Sequence, residues 1–234
     1  MDLWRGMVTL VLVFLLVVGC APRYRWDYTP ERSHVVRSGE TLFTIAFRYG
    51  HDHRELARWN KLGDGSLIYP GQVIRLTPPP GTASARTSNR PQPAPKRATP
   101  TRTMPPPPSD PSPNWEWPTS GRISSEFDGR PGSGAGLVID GRAGQPVKAA
   151  ASGRVVYSGG GLIGYGQLII LKHNDTYLSA YGHNASLLVK EGDTIKKGQR
   201  IATMGEGPGQ KPRLHFEIRR NGKPVDPRRF LPAR

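Results

Sequence analysis

The residues whose ordinary pKa puts acid–base chemistry near neutral pH are few: six histidines and one cysteine in 234 residues. Two of the histidines stand in short patterned runs, His183 in Tyr181-Gly182-His183 and His215 in Arg213-Leu214-His215-Phe216. A hydrolytic zinc site needs three protein ligands from His, Cys, Asp or Glu, plus an open position for water. Two imidazoles with no cysteine nearby do not complete that set, and one alone neither holds zinc tightly nor lowers the pKa of bound water towards 7. The pair therefore admits two accounts: satisfied side chains on a sheet face, or members of a groove that binds without catalysing. His173 reads as a structural residue at a strand end, and His34, His51 and His53 fall in a different part of the chain.

Around these histidines, the stretch from Gly134 to Glu217 carries ordered anchors. They are Gly144-x-Pro146-Val147-x-Ala149, Gly153-x-Val155, Gly164-Tyr165-Gly166, Val189-x-x-Gly192 and Gly198-x-x-Ile201-Ala202. The stretch resembles the lysostaphin-type (LytM-like) endopeptidase domain over its whole length. Active members of that family read H-x-G-x-D, then Y-x-H, then H-L-H-F. The resemblance implies zinc ligands at positions 134, 138 and 215 and catalytic imidazoles at 183 and 213. Here those positions hold Gly134, Val138 and His215, with His183 and Arg213. Glycine and valine offer no lone pair, and arginine neither ligates nor accepts a proton near neutral pH. The expectation is a domain with no zinc peptidase activity, no metal and no cofactor, in which His183 and His215 are vestigial. Its fold should persist, because the anchors are glycines, turns and apolar strand residues. In the active fold the five positions converge at the floor of a groove. Without ligands, that groove is lined by small, apolar and basic groups and suits a peptide or partner helix. Its expected contact residues are Val138, Tyr181, His183, Arg213 and His215, with Arg213 pairing with a carboxylate on the partner.

The elements that must position these residues come from residues 115–234. Apolar runs occur at 147–151, 154–157, 167–172, 177–181, 200–204 and 214–219, separated by turn signals at Asn174-Asp175, Gly192-Asp193 and Asn221-Gly222. Such spacing predicts a mainly-β antiparallel LytM-like domain with hardly any helix. Upstream, residues 33–77 hold Val36, Gly39, Thr41-Leu42, Ile45-Ala46, Tyr49-Gly50, Leu56, Asn60, Ile68 and Pro70-Gly71-Gln72. This pattern resembles a LysM domain, a small peptidoglycan-binding α+β module of order βααβ. Periodicity agrees: a strand at 34–37, a helix through Leu42, Ile45, Ala46 and Tyr49 closed by Gly50, a second helix at 53–60, and a strand at 72–76. The resemblance places glycan contacts at Gly39, Glu40, Thr41 and Leu42, and at Leu67, Ile68 and Pro70. Between the two modules, residues 78–114 are a proline-rich linker. Counted from Thr77, this segment holds 13 of the 24 prolines, and it should stay extended and disordered. Such a tether would let the C-terminal domain search the space around a wall-bound LysM module.

Residues 1–19 read as a signal peptide, with Arg5 before an apolar core from Met7 to Val18 that is short for a bilayer span. Val17-Val18-Gly19-Cys20 matches the lipobox of bacterial lipoproteins, making Cys20 the lipidation site and 20–32 a spacer. As the sole cysteine, it excludes an intramolecular disulfide. Ala21 after the cysteine favours an outer-membrane anchor facing the periplasm. The net charge of +15 suits a polyanionic neighbour, and no nucleic-acid motif is present.

Lipobox, LysM module, proline-rich spacer and ligand-deficient LytM-like domain together resemble the NlpD-type murein hydrolase activators. That resemblance implies a non-catalytic protein that binds a periplasmic N-acetylmuramoyl-L-alanine amidase and displaces a helix from its zinc site. The amidase is thereby licensed to cleave septal peptidoglycan during daughter-cell separation. Two alternatives are a structural tether from outer membrane to peptidoglycan, and an endopeptidase with an altered site.

Overall fold

The computed structural model describes residues 32–63, 67–79, 110–130 and 132–234. The expected signal peptide, Cys20 and nearly all of its spacer, and the linker from 80 to 109 lie outside the described residues.

The first module is βααβ. Strands β1 (Ser33–Val35) and β2 (Val73–Arg75) pair antiparallel, Val35 opposite Val73. Helix α1 (Leu42–Tyr49) starts where Thr41 accepts a hydrogen bond from Thr44 N and Thr44 Oγ1 accepts one back from Thr41 N, a reciprocal cap. It stops at Gly50, whose φ of 69° is the left-handed conformation that glycine takes at little cost. Asp52 caps α2 (His53–Asn60) by accepting from Arg54 N and Glu55 N. Leu42, Ile45, Ala46, Leu56, Ala57 and Ile74 close over one another as the module's own core.

The second module is one antiparallel sheet with side branches. In chain order its strands are β3 (Ile123–Ser125), β4 (Leu137–Asp140), β5 (Pro146–Lys148), β6 (Gly153–Gly159), β7 (Gln167–Lys172), β8 (Tyr177–Leu187), β9 (Thr194–Ile195), β10 (Arg200–Met204), β11 (Glu206–Gly207), β12 (Lys211–Arg220) and β13 (Lys223–Val225). The main order is β3-β4-β12-β8-β7-β6-β9, with β10 bridging β5 and β8. The β12–β13 hairpin turns at Asn221-Gly222, both at positive φ, as a two-residue turn requires. Alternation along each strand divides the side chains between two faces. Leu214, Phe216 and Ile218 join Leu137, Ile139, Ile169, Leu171 and Tyr181 in the main core. Leu168, Ile170 and Ala180 face the other way with Leu162 and Tyr165, and Phe47 of α1 completes that second cluster.

The first module is therefore seated on the sheet, and the described residues from 32 to 234 belong to one compact unit. This corrects the expectation of a domain searching freely at the end of a tether. Phe47 and Tyr165 meet edge to face with ring centroids 5.7 Å apart, and Arg54 pairs with Asp175 at 2.5 Å. The linker is also shorter at its C-terminal end than its composition suggested. Asp110 accepts from Asp175 N (2.8 Å) and donates its own N–H to Thr176 Oγ1 (3.1 Å), and Asn174 Nδ2 donates to Pro111 O (3.0 Å). Proline lacks an N–H but keeps its carbonyl, so a proline-rich segment can still be pinned, as Pro111 is.

Candidate functional site

Register brings most of the expected positions together. On β12 and β4, His215 lies opposite Val138, and on β8 it lies opposite Gly182. Val138 and His215 share one sheet face and are almost closed off, at 6% and 3% exposure. His183 and Arg213 are half-buried and reach the surface above them. His183 should, by alternation, share the face of Tyr181. Its φ of +62°, uncommon for a residue with a Cβ, breaks the alternation and swings the ring to 6.1 Å from that of His215. The conformation is held from both sides: His183 N donates to Tyr165 O (2.8 Å), and Gly205 N donates to His183 O (2.9 Å).

Tyr181 is a correction. It is 0% exposed in the main core, where Ala150 N donates to its hydroxyl (2.8 Å) and Ser179 Oγ lies 2.8 Å away. Burial raises its pKa further above the usual phenol range. It supports the sheet from behind and cannot touch a partner.

Residues present do not fit a zinc ion. Gly134 donates no side chain, and a Cβ built there would run into the Asp128 carboxylate and Arg130, so the loop has closed over that corner. Asp128 is itself tied up by Arg130, whose Nε and Nη2 reach it at 2.8 and 2.6 Å. Among the described residues no group of three His, Cys, Asp or Glu is placed to hold a metal.

What His215 does instead was not legible from motifs. Its Nε2–H donates to Glu217 Oε1 at 2.8 Å. Glu217 also accepts from the Tyr165 hydroxyl (2.8 Å) and from Arg219 Nε (2.7 Å). Burial raises the pKa of Glu217, but the Arg219 charge and the His215 bond outweigh it and bring it down to about 2. The carboxylate is thus ionised and the Nε2 proton of His215 is spoken for. His183 is pushed down to about 4 by burial and by the neighbouring His215 and Arg213, so its imidazole is neutral at pH 7. Arg213 lays its stem against Gly207, where a Cβ would meet its Cδ at 2.7 Å. Its Nε is buried without an acceptor. A neutral imidazole and a half-buried guanidinium thus lie over a floor made of Val138 and His215.

In the LysM module the expected glycan residues divide. Gly39, Leu67 and Pro70 are exposed, Leu67 at 63%, while Ile68 packs partly against the core. Thr41 is engaged as the α1 cap. Leu42 is 3% exposed and belongs to the core. Glu40 braces the fold by accepting from His34 Nε2 (2.6 Å), Arg48 Nη1 (2.6 Å) and Arg37 N (2.9 Å). Leu42 and Glu40 are therefore corrections: both point inward. Tyr69, passed over in the sequence, is 61% exposed beside Leu67.

Comparison with known proteins agrees with this layout. Residues 34–77 match the LysM domain, and residues 132–227 match Peptidase family M23. The lipoprotein NlpD/LppB homolog of Pseudomonas aeruginosa is 42% identical over 236 aligned positions, covering 88% of this chain and 80% of that protein. The murein hydrolase activator NlpD of Salmonella typhimurium is 37% identical, covering 89% of this chain and 70% of that protein. The uncharacterized lipoprotein YgeR of Escherichia coli K12 is 36% identical, covering 97% and 92%. A LysM module followed by an M23 domain, and identity of this extent along most of both chains, mean that the chain belongs to the NlpD family.

Proposed function

We propose that the chain is a non-catalytic activator of a periplasmic N-acetylmuramoyl-L-alanine amidase, promoting cleavage of septal peptidoglycan during daughter-cell separation. The observation that carries this reading is the groove: His183 and Arg213 open over a closed floor of Val138 and His215, with Arg213 Nε lacking an acceptor. Arg213, half-buried at the surface above that floor, is the residue that a partner carboxylate would pair with. The names of the relatives, murein hydrolase activator and lipoprotein NlpD, support the same class. In this reading Cys20 carries the lipid in the outer membrane, the LysM module holds peptidoglycan through the exposed rim at Gly39, Leu67 and Pro70, and the groove engages the amidase. The activator prefers an amidase whose zinc site is uncovered. Driving that equilibrium from 1:99 to 99:1 takes about 5.5 kcal/mol of differential binding.

Dye release from labelled sacculi tests it, using the full chain alone, then with a periplasmic amidase of the same cell. Release only with both present is expected, and Arg213→Ala should reduce it. Release by the chain alone, abolished by a chelator, would overturn the non-catalytic reading. Silence of the pair with each of the cell's amidases would leave a wall tether instead.

A further inference from the structure

Helix α1 has two apolar sides. Leu42, Ile45 and Ala46 face the LysM core, while Phe43 and Phe47 point away from it, four residues apart on one side with ring centroids 6.4 Å apart. Phe47 is 2% exposed because the C-terminal sheet covers it. Directly beneath lies Arg219, also 2% exposed, its guanidinium carbon 3.4 Å from the centre of the Phe47 ring. Arg219 Nη1 donates to the Phe47 carbonyl, in the last turn of α1 where helix carbonyls carry partial negative charge. Nη2 donates to the Tyr165 hydroxyl (3.1 Å) and Nε to Glu217 Oε2 (2.7 Å). Glu217 in turn receives the Nε2–H of His215, at the groove floor.

Every link from the LysM helix to the groove is therefore a direct contact between buried groups. Residues 215, 217 and 219 alternate on one face of β12, which makes the strand itself the rail for this chain. A guanidinium in such a site needs its donors filled. With the LysM module lifted, the Nη1 donor and one face of Arg219 open to water. The grip of Arg219 on Glu217, and of Glu217 on His215, then changes.

We propose that the LysM module is a built-in ligand of the C-terminal domain, and that Phe47 positions His215 through Arg219 and Glu217, so that the groove has one arrangement with the module seated and another with it lifted. This holds whatever occupies the groove, and so goes beyond the activator reading. The exposed Leu67 and Pro70 stay free while α1 is seated. Because linkage is reciprocal, a partner that prefers one arrangement of the groove also shifts the seating of the module.

Five of the six histidines report each part separately. The test is the full chain in detergent micelles, labelled with ¹⁵N-histidine, as wild type, Phe47→Ala and Phe47→Tyr. His34 lies inside the LysM core and His173 inside the C-terminal domain, where it bonds to Ser152 O and Ser179. His51 and His53 line the seam, beside Gly222 and against Phe43. In Phe47→Ala the signals of His34 and His173 should hold, those of His51 and His53 should shift, and the ring-nitrogen signals of His215 should shift with them. Phe47→Tyr, which keeps an aromatic ring over Arg219, should restore all three. Seam signals that move while His215 stays put would overturn the coupling, and seam signals that stay put would overturn Phe47 as the latch. If His34 moves as well, Asp175→Arg, an exposed change that breaks the pair with Arg54, takes the place of Phe47→Ala with the same two overturning results.

Discussion

Replacing Glu217 with glutamine removes one charge and keeps the shape. Glu217 is 0% exposed and gathers three donors, from His215, Tyr165 and Arg219. Glutamine has one acceptor oxygen, so its amide must present N–H to at least one donor. The group most harmed is Arg219, which is 2% exposed and has no other carboxylate partner among the described residues. Breaking a buried pair from one side costs about 3–5 kcal/mol, because an uncompensated charge is left behind. Against a typical total of about 5–15 kcal/mol this is severe but survivable. Replacing both members, Glu217→Gln with Arg219→Met, removes the orphaned charge and should recover much of the loss. Urea denaturation of wild type, both single variants and the double variant closes the cycle. A single variant within about 1 kcal/mol of wild type, or a double variant as damaged as the sum of the singles, would refute the buried network as a coupled unit.

Arg213→Ala should leave the unfolding free energy from urea denaturation within about 0.5 kcal/mol of wild type while weakening any partner that engages the groove, since it removes a buried donor that already lacks an acceptor. Gly134→His should yield no zinc binding by calorimetry and should lower stability, because the new Cβ meets the Asp128 carboxylate. Burial holds His173 down to about 4 against an ordinary 6.5. Its folded-state pKa is depressed, so stability is intact above about pH 6.5, falls as the pH drops from there to 4, and levels off below, by on the order of 3 kcal/mol in all. His173→Gln should flatten that part of a pH–stability curve measured by thermal unfolding. Tyr69→Ala should reduce sacculus pelleting without moving the melting temperature, whereas Glu40→Ala should lower the melting temperature by removing the brace between His34 and Arg48.

Much of this was legible in sequence because it is local. Helix α2 spans the residues its pattern gave, His53–Asn60, and β7 and β10 begin and end as their apolar runs do. Tyr181 was misplaced for an equally local reason: two residues from His183, it belongs to the same face of any regular strand. Only the left-handed φ at His183 separates the two. Glu217 and Arg219 were invisible on other grounds. On an antiparallel strand, charged residues alternating with Leu214, Phe216 and Ile218 read as a solvent face. What buries that face is Phe47, 172 residues away, and no spacing rule spans such a distance. Asp110 was lost in the same way, its partner being the Asn174–Thr176 turn across the domain.

A chain led by a signal peptide crosses the membrane N-terminus first, so Phe47 reaches the far side before Arg219. A LysM module with capped helices and its own core can then form before β12 emerges. The last long strand to emerge thus meets a finished surface that receives its arginine, and the apolar face around Leu168 and Ile170 need not wait uncovered. Reversing the order of the modules by circular permutation would leave every native contact drawable. The sheet, however, would be completed first, with a charged pair and an apolar face open to aggregation until its cover arrived.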